Sequence, residues 1–348
     1  MIGSPRFRRT IGIDYSGAET AEASLKGLRG YQTLGNSVAE EVLPPAGPKK
    51  YWTRHSLADW LIETLDGSVP TVVGIDHGFS FPIRYFERHG LEPDWPNFLD
   101  DFCAHWPTDR KHTYVDFVRD GSVGNGAARQ GERHWRRLTE EAAGSAKSVF
   151  HFDVQGTVAK STHAGIPWLR KIRQARPQIH FWPFDGWEPA QDASVILEAY
   201  PRLWSSLYGS EARTPDQHDA YAIARWLQEA GISGEINQAF APPQPESVAM
   251  TAQVEGWILG TTWPPTDKPR SRPKSDSPRR SSTTATGYVN RNSQEVLSRT
   301  GQPGTDHNQI VYILQCRHCG ARYGANGSDV FQRRCPECGD GRPGIPTG

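Results

Sequence analysis

Long apolar runs are missing from this chain. No stretch of about 18 apolar residues occurs, and no basic segment followed by an apolar core opens it, so neither a membrane span nor a secretory leader is expected. Cysteine is scarce, with five in 348 residues. Four of the five fall in two CxxC pairs near the end and Cys103 stands alone, which argues against a disulfide framework and for a metal site in a reducing, cytoplasmic setting. No internal repeat is evident. Net charge is absent too, with Lys+Arg and Asp+Glu at 39 each, but the balance is uneven. Residues 264–348 hold 13 Lys/Arg against 7 Asp/Glu, leaving 26 against 32 in residues 1–263. A basic stretch after an acidic body fits an anionic partner such as nucleic acid, and equally fits plain solubility.

What is present divides the chain in three. Residues 1–263 read as one α/β domain. "RRTIGIDY" (8–15) reads as a strand ending in Asp14, with further strands near 24–32 and 38–43. "HSLADWLIETLDG" (55–67) has helical spacing, while "PTVVGIDHGFSFP" (70–82) and "ASVILEAYP" (193–201) are short apolar runs of the kind buried in a sheet. Helices are expected over 94–106, 127–143 and 165–175. A last helix starts at Pro215 behind a Thr214 cap and runs to about 229. These elements predict a mixed central sheet flanked by helices. Residues 264–286 are Pro-, Ser-, Arg- and Lys-rich with almost no large apolar side chain, which predicts a flexible basic linker. Residues 287–348 form a separate small module.

Carboxylates recur at strand ends. Asp14 follows "IGI", Asp76 follows "VVGI", Glu198 follows "VIL", and Asp216 and Asp219 open the last helix along its buried stripe. Ligands of open α/β sheets gather at such ends. Several converging acids repel one another unless a cation compensates them, and Mg²⁺ or Mn²⁺ suits an all-oxygen donor set. Each acid also has a plainer role open to it: Asp14 and Asp76 in turns after strands, Glu198 at a strand-end surface, Asp216 on the helix dipole.

"IGIDYSG", "VGIDHGFSFP", "LEAYPRLW" and "DQHDAYAIARWL", with residues 148–173, together resemble the uncharacterised RNase H-like family filed as domain-of-unknown-function 429, and the RuvC-like nuclease branch of that superfamily. The resemblance spans roughly residues 10–230. It implies an RNase H-like fold and a metal site at Asp14, Asp76, Asp216 and Asp219, with Glu198 matching the acid of the family's "EVYP" stretch. RuvC-like resolvases carry Glu where this chain has Asp76.

Nitrogen donors lie between these acids. Arg129, Arg133, Arg136 and Arg137 fall at helical spacing beside Trp135, suited to gripping phosphates or to a solvated helix face. Gln155, Lys160 and His163 sit in what reads as a polar loop, and Lys160 or His163 near metals would orient water or neutralise charge.

Near the end, Cys316, Cys319, Cys335 and Cys338 make a C-x₂-C-x₁₅-C-x₂-C pattern suited to tetrahedral Zn²⁺ in a zinc ribbon. Four thiolates leave no open position, so this ion is structural, with His307 and His318 unneeded. Gly320 and Gly339 follow the pairs, where positive φ is expected. The reading that unites these features is a two-metal nuclease acting on DNA or RNA, with the ribbon recruiting nucleic acid or a protein partner. Two others stay open: a non-catalytic adaptor, and a nucleotide phosphotransferase of the actin/sugar-kinase type, which "GIDYSGAET" faintly resembles but which requires a second Gly-rich loop that is not found.

Overall fold

A computed structural model describes residues 6–152, 156–264, 283–305 and 309–346; Gln155, His307 and most of the expected linker lie outside these. The chain divides into two compact units, Met1–Lys268 and Pro269–Gly348. Among the described residues no helix is long and apolar enough to cross a membrane.

The first unit is mixed α/β. Its elements run β1 (Arg9–Asp14), β2 (Arg29–Leu34), β3 (Glu40–Glu41), α1 (Arg54–Thr64), β4 (Thr71–Asp76), α2 (Ile83–His89), α3 (Trp95–His105), α4 (Val115–Arg119), α5 (Leu138–Ala142), α6 (Ala159–Ala175), β5 (His180–Phe181), β6 (Val195–Glu198), α7 (Pro215–Ser233), α8 (Glu235–Phe240) and α9 (Glu246–Glu255). The strands form one sheet in the order β3-β2-β1-β4-β6-β5. β2 is antiparallel to β1 and β3, whereas β1, β4, β6 and β5 run parallel.

Both faces of the parallel strands are covered, which is why they read as unbroken apolar runs. Ile11, Ile13, Val73, Ile75 and Ile196 face one core, and Val72, Val195 and Leu197 face a second core shared with Ile223 and Leu227 of α7. That alternation is the period of two of a pleated strand. Gly12 lets α7 lie directly on the sheet: a Cβ there would stand 2.2 Å from the Ala220 carbonyl oxygen and 2.5 Å from the Ala224 nitrogen. Thr10 Oγ1 then donates to the Ala224 carbonyl at 2.8 Å. Thr214 caps α7 through a capping box with Gln217, as expected at its start.

The middle of the unit departs from expectation. Residues 127–143 hold only a short 3₁₀ turn at Gly126–Arg129 and α5, not one long helix. The segment expected as a polar loop is the first turn of α6, six residues ahead of the expected start. The strand expected near 24–32 lies at Arg29–Leu34.

The second unit is a three-stranded antiparallel sheet of β7 (Gln294–Pro303), β8 (Ile310–Cys316) and β9 (Arg322–Asn326). Its core is small: Val296, Leu314, Tyr323, Ala325 and Val330 with Cys316 and Cys335.

Candidate functional site

Register brings the first two acids together. Asp14 and Asp76 end adjacent parallel strands and are direct partners across the ladder, so both side chains leave the same sheet face. α7 covers that face and carries Asp216 and Asp219 in its first turns. Asp216 Oδ2 would lie 3.5 Å from a Cβ at Gly27, a position that also neighbours Ser16 in the loop after Asp14.

The two strand-end acids have no direct partner among the described residues. Among the described residues no side chain or amide donates a hydrogen bond to Asp14 or Asp76, and neither forms an ion pair. Arg29, the ladder partner of Asp14 on β2, spends its guanidinium on Glu41 at 2.9 Å and on the Lys26 carbonyl. Burial, followed by Asp76, Asp216 and Asp219, pushes the Asp14 carboxyl up to about 9, with Arg29 pulling the other way. Burial, with Asp219 and Glu198, pushes Asp76 up to about 8. Burial also raises Asp219; His218 and the Ser205 hydroxyl oppose the shift and Asp216 adds to it. Among the described residues no three carboxylates each bring an oxygen to within 4.8 Å of one another. The aspartates are neighbours and do not form a closed cage among the described residues.

Glu198 corrects the sequence reading. It pairs with Ile75, not Asp76, so its side chain leaves the opposite face of the sheet, and Ala199 stands level with the two aspartates. Both Glu198 oxygens are taken by Arg137, at 2.6 and 2.7 Å, in a fully buried bidentate pair. Arg137 also holds Glu140 at 3.0 Å and the Glu255 carbonyl at 3.2 Å. Burial opposes the Arg137 charge, but Glu198 and Glu140 outweigh it and hold its pKa above the usual value. Glu198 is therefore the partner of an arginine and not a free metal ligand. We expect Arg137→Met to cost about 3–5 kcal/mol, because it strands two buried acids; urea unfolding measures this, and a cost under about 1 kcal/mol would contradict it.

Lys160 and His163 are also corrected. Lys160 Nζ pairs with Asp116 at 2.6 Å and reaches the Tyr114 hydroxyl at 3.4 Å. His163 is buried among aromatic rings, with Nδ1 bonded to the Ala159 carbonyl at 2.9 Å. Neither side chain contacts the aspartates. Arg129 pairs with Asp101, and Arg136 donates to the carbonyls of Glu140 and Ala146, so these two serve packing and not an exposed phosphate-gripping face.

Sequence reasoning missed a cavity of about 250 Å³ beside Asp76, whose wall includes Lys147, Tyr200 and Arg202. Lys147 and Arg202 are exposed and have no ion-pair partner among the described residues. Arg202 follows Glu198 by four residues, so "EAYPR" carried a signal for it; Lys147 stands just ahead of the 148–173 segment but in no pattern that points to an anion site.

The raised acids set a direction for stability. In the unfolded chain Asp titrates near pH 4, whereas Asp14 and Asp76 hold protons to about 9 and 8 when folded. Across that window the native state binds more protons than the unfolded state, so stability falls as pH rises, by about 1.4 kcal/mol per pH unit for each retained proton. Burial lowers His77 to about 4 and His163 to about 3, which adds the opposite slope below about pH 6.5. The aspartate slope is therefore free of the histidines above about pH 7, and the transition to follow is that of the first unit. We expect the metal-free Tm to fall between about pH 7 and pH 8.5, and millimolar Mn²⁺ to restore it. A flat or rising Tm would contradict the charge arrangement.

The four cysteines meet in the second unit. Their sulfurs all lie within 4.8 Å of one another, with Cys316 and Cys338 3.6 Å apart and Cys319 and Cys335 3.5 Å apart. Tetrahedral Zn–S bonds of about 2.3 Å would set sulfurs about 3.8 Å apart, so the cluster suits Zn²⁺. Burial opposes the Cys316 thiolate, but the Cys319 amide, Gln294 and the His318 amide outweigh it and bring Cys316 down to about 6. The His318 side chain is outside the sulfur cluster. Gly320 has the expected positive φ of 75°, whereas after the second pair it is Asp340, at 50°, and not Gly339.

No family model, no curated protein and no solved structure matches the chain. The functional reading therefore rests on the site itself.

Proposed function

We propose that residues 6–264 form an RNase H-like domain that hydrolyses phosphodiester bonds in DNA or RNA with Mg²⁺ or Mn²⁺. The observation that carries this reading is the pair of level, same-facing aspartates, Asp14 and Asp76, without a donor among the described residues, under α7, which adds Asp216 and Asp219. The strand order, with an antiparallel β1–β2–β3 edge followed by parallel strands and a helix laid on β1, supports the fold assignment.

Asp14 and Asp76 hold the cation, with Asp216 and Asp219 completing an all-oxygen donor set that Mg²⁺ and Mn²⁺ favour. When bound, such an ion supplies Lewis-acid polarisation of a phosphate oxygen and a more acidic water. Lys147 and Arg202 bind the phosphate charge in the cavity beside Asp76. Arg137 fixes Glu198 and with it the end of β6, which forms another wall of that cavity. The four-cysteine unit holds structural Zn²⁺ and recruits nucleic acid or a protein partner.

Cleavage of labelled single- and double-stranded DNA and RNA with Mg²⁺ or Mn²⁺ tests this. Cleavage that chelator and Asp14→Asn both abolish is the expected result. Cleavage unchanged in Asp14→Asn would overturn the role of the aspartates, and no cleavage of any of the four substrates would overturn the reaction.

A further inference from the structure

Four segments of the chain frame the cavity beside Asp76. They are the end of β4 at Asp76, residues 145–147 after α5, residues 156–158 before α6, and residues 198–202 at the end of β6. Buried Arg137, Glu140 and Ile258 complete the lining. Hydrogen bonds hold these segments in place. Ser145 Oγ and the Tyr200 hydroxyl stand 3.3 Å apart and join two of them. Arg136 donates to the Ala146 carbonyl at 2.9 Å, and the Thr157 hydroxyl donates to the His151 carbonyl at 2.7 Å. The Ala199 amide donates to the Ile75 carbonyl at 2.9 Å, which ties the end of β6 to the end of β4. The space is therefore formed before any ligand arrives.

Its polar groups are open to a ligand. Lys147 and Arg202 are exposed, and Asp76, Ser145, Thr157 and Tyr200 are half-buried. The buried acids of the lining are already engaged, since Arg137 holds both Glu198 oxygens and Glu140. That leaves Lys147 and Arg202 as cations without an ion-pair partner among the described residues, and Asp76 as the one acid of the lining outside the Arg137 cluster. At about 250 Å³ the cavity is smaller than the roughly 300–1,000 Å³ of sites that enclose drug-sized ligands. It has room for a phosphate and its sugar, and not for a strand that enters on one side and leaves on the other.

We propose that this cavity takes the phosphate monoester at the end of a nucleic-acid strand, so that the domain works on strand ends and not within a strand. A phosphate monoester carries about −1.5 to −2 charges at pH 7 and three acceptor oxygens, whereas each phosphate inside a strand is a diester with a single charge. Two unpaired cations suit the former better. Arg202 offers a planar fork for two of the oxygens and Lys147 a point charge for the third. The small, framed space excludes the continuing chain that an internal phosphate would bring with it. Action at ends rests on the nuclease reading for its reaction, but the binding of a terminal phosphate does not.

The test measures binding of one oligonucleotide sequence to the full-length protein, in chelator and again with Ca²⁺. The sequence is offered with a 5′-phosphate, with a 3′-phosphate, with hydroxyls at both ends, and as a closed circle, and adenosine 5′-monophosphate is added as a competitor. One phosphorylated end is expected to bind at least tenfold tighter than the hydroxyl-ended strand in at least one medium, and which end does so assigns the polarity. The circle is expected to bind no better than the hydroxyl-ended strand. Lys147→Ala and Arg202→Ala, both at exposed positions, are each expected to reduce the preference at least threefold. A preference under twofold in both media, a circle bound as tightly as the phosphorylated strand, or a preference untouched in both variants overturns the proposal. Competitor that displaces the phosphorylated strand at equal concentration would assign the cavity to a free phosphate monoester and overturn the strand-end claim. End preference without cleavage would sink the nuclease reading alone, and cleavage without end preference would sink this proposal alone.

Discussion

Asp76→Asn is expected to make the metal-free protein more stable and its cleavage activity slower by roughly two to four orders of magnitude, the span usual for a group placed at a reacting centre. The two effects share one cause. Asp76 is the ladder partner of Asp14, on the same face and without a hydrogen-bond donor among the described residues. Asparagine keeps the shape and removes the charge that Asp14 and Asp219 repel. At about pH 8 the native state then no longer pays for a carboxylate that burial has pushed up to about 8. The gain is on the order of a few kcal/mol before solvent screening trims it. For a domain of this size each kcal/mol moves Tm by roughly 2–4 °C. Thermal unfolding in chelator at about pH 8, beside the cleavage assay, reads both. A variant that is less stable, or one that cleaves as well as the parent, would show that the aspartates are not the strained, cation-seeking set described above. A structural role alone predicts the reverse sign for stability, which makes the pair of measurements discriminating.

Much of the sheet was legible because burial on both faces leaves a local mark. "TIGI", "TVVGI" and "VIL" are apolar throughout, and each meets an acid where the strand leaves the core. The position of Asp219 was legible for the same reason: it leads into the stripe of Ala220, Ile223 and Leu227 that packs on the sheet. The pairing of β4 with β6 was not legible. These strands are more than a hundred residues apart, and a one-residue change of register moves Glu198 from the face of the aspartates to the other. The first turn of α6 misled for a related reason. Ser161, Thr162 and Gly165 are weak helix formers, so local propensity favours a loop. Tertiary contact needs small groups there: Gly165 faces the His77 ring, where a Cβ would lie 2.5 Å from Nε2, and Thr162 holds the Gly78 amide. Between residues 127 and 143 the spacing of arginines imitated a helix face, while the actual partners, Asp101, Glu140 and Glu198, lie on separate elements that spacing cannot identify.

Replacing Cys316 with serine, or removing metal with a strong chelator, is expected to unfold the second unit. The reason is how little else holds it. Its buried apolar side chains are Val296, Leu314, Tyr323, Ala325 and Val330, and two of the four cysteines complete that core. A core of this size supplies only a few kcal/mol, whereas structural Zn²⁺ in comparably small modules contributes about 10–16 kcal/mol at neutral pH. Cys316 is the most damaging single loss, since it ends β8, is fully buried, and takes donors from Gln294 and two turn amides. One zinc per chain by metal analysis, and rapid proteolysis of residues 283–346 in the variant while residues 6–264 resist, are the expected results. Acid should do the same as chelator, because all four thiols must lose protons to hold the ion, so metal release should rise as pH falls below about 6. A variant whose second unit still resists protease, or a parent protein without zinc, would mean that the strands and turns fold on side-chain packing alone, and the cysteines would then need another explanation.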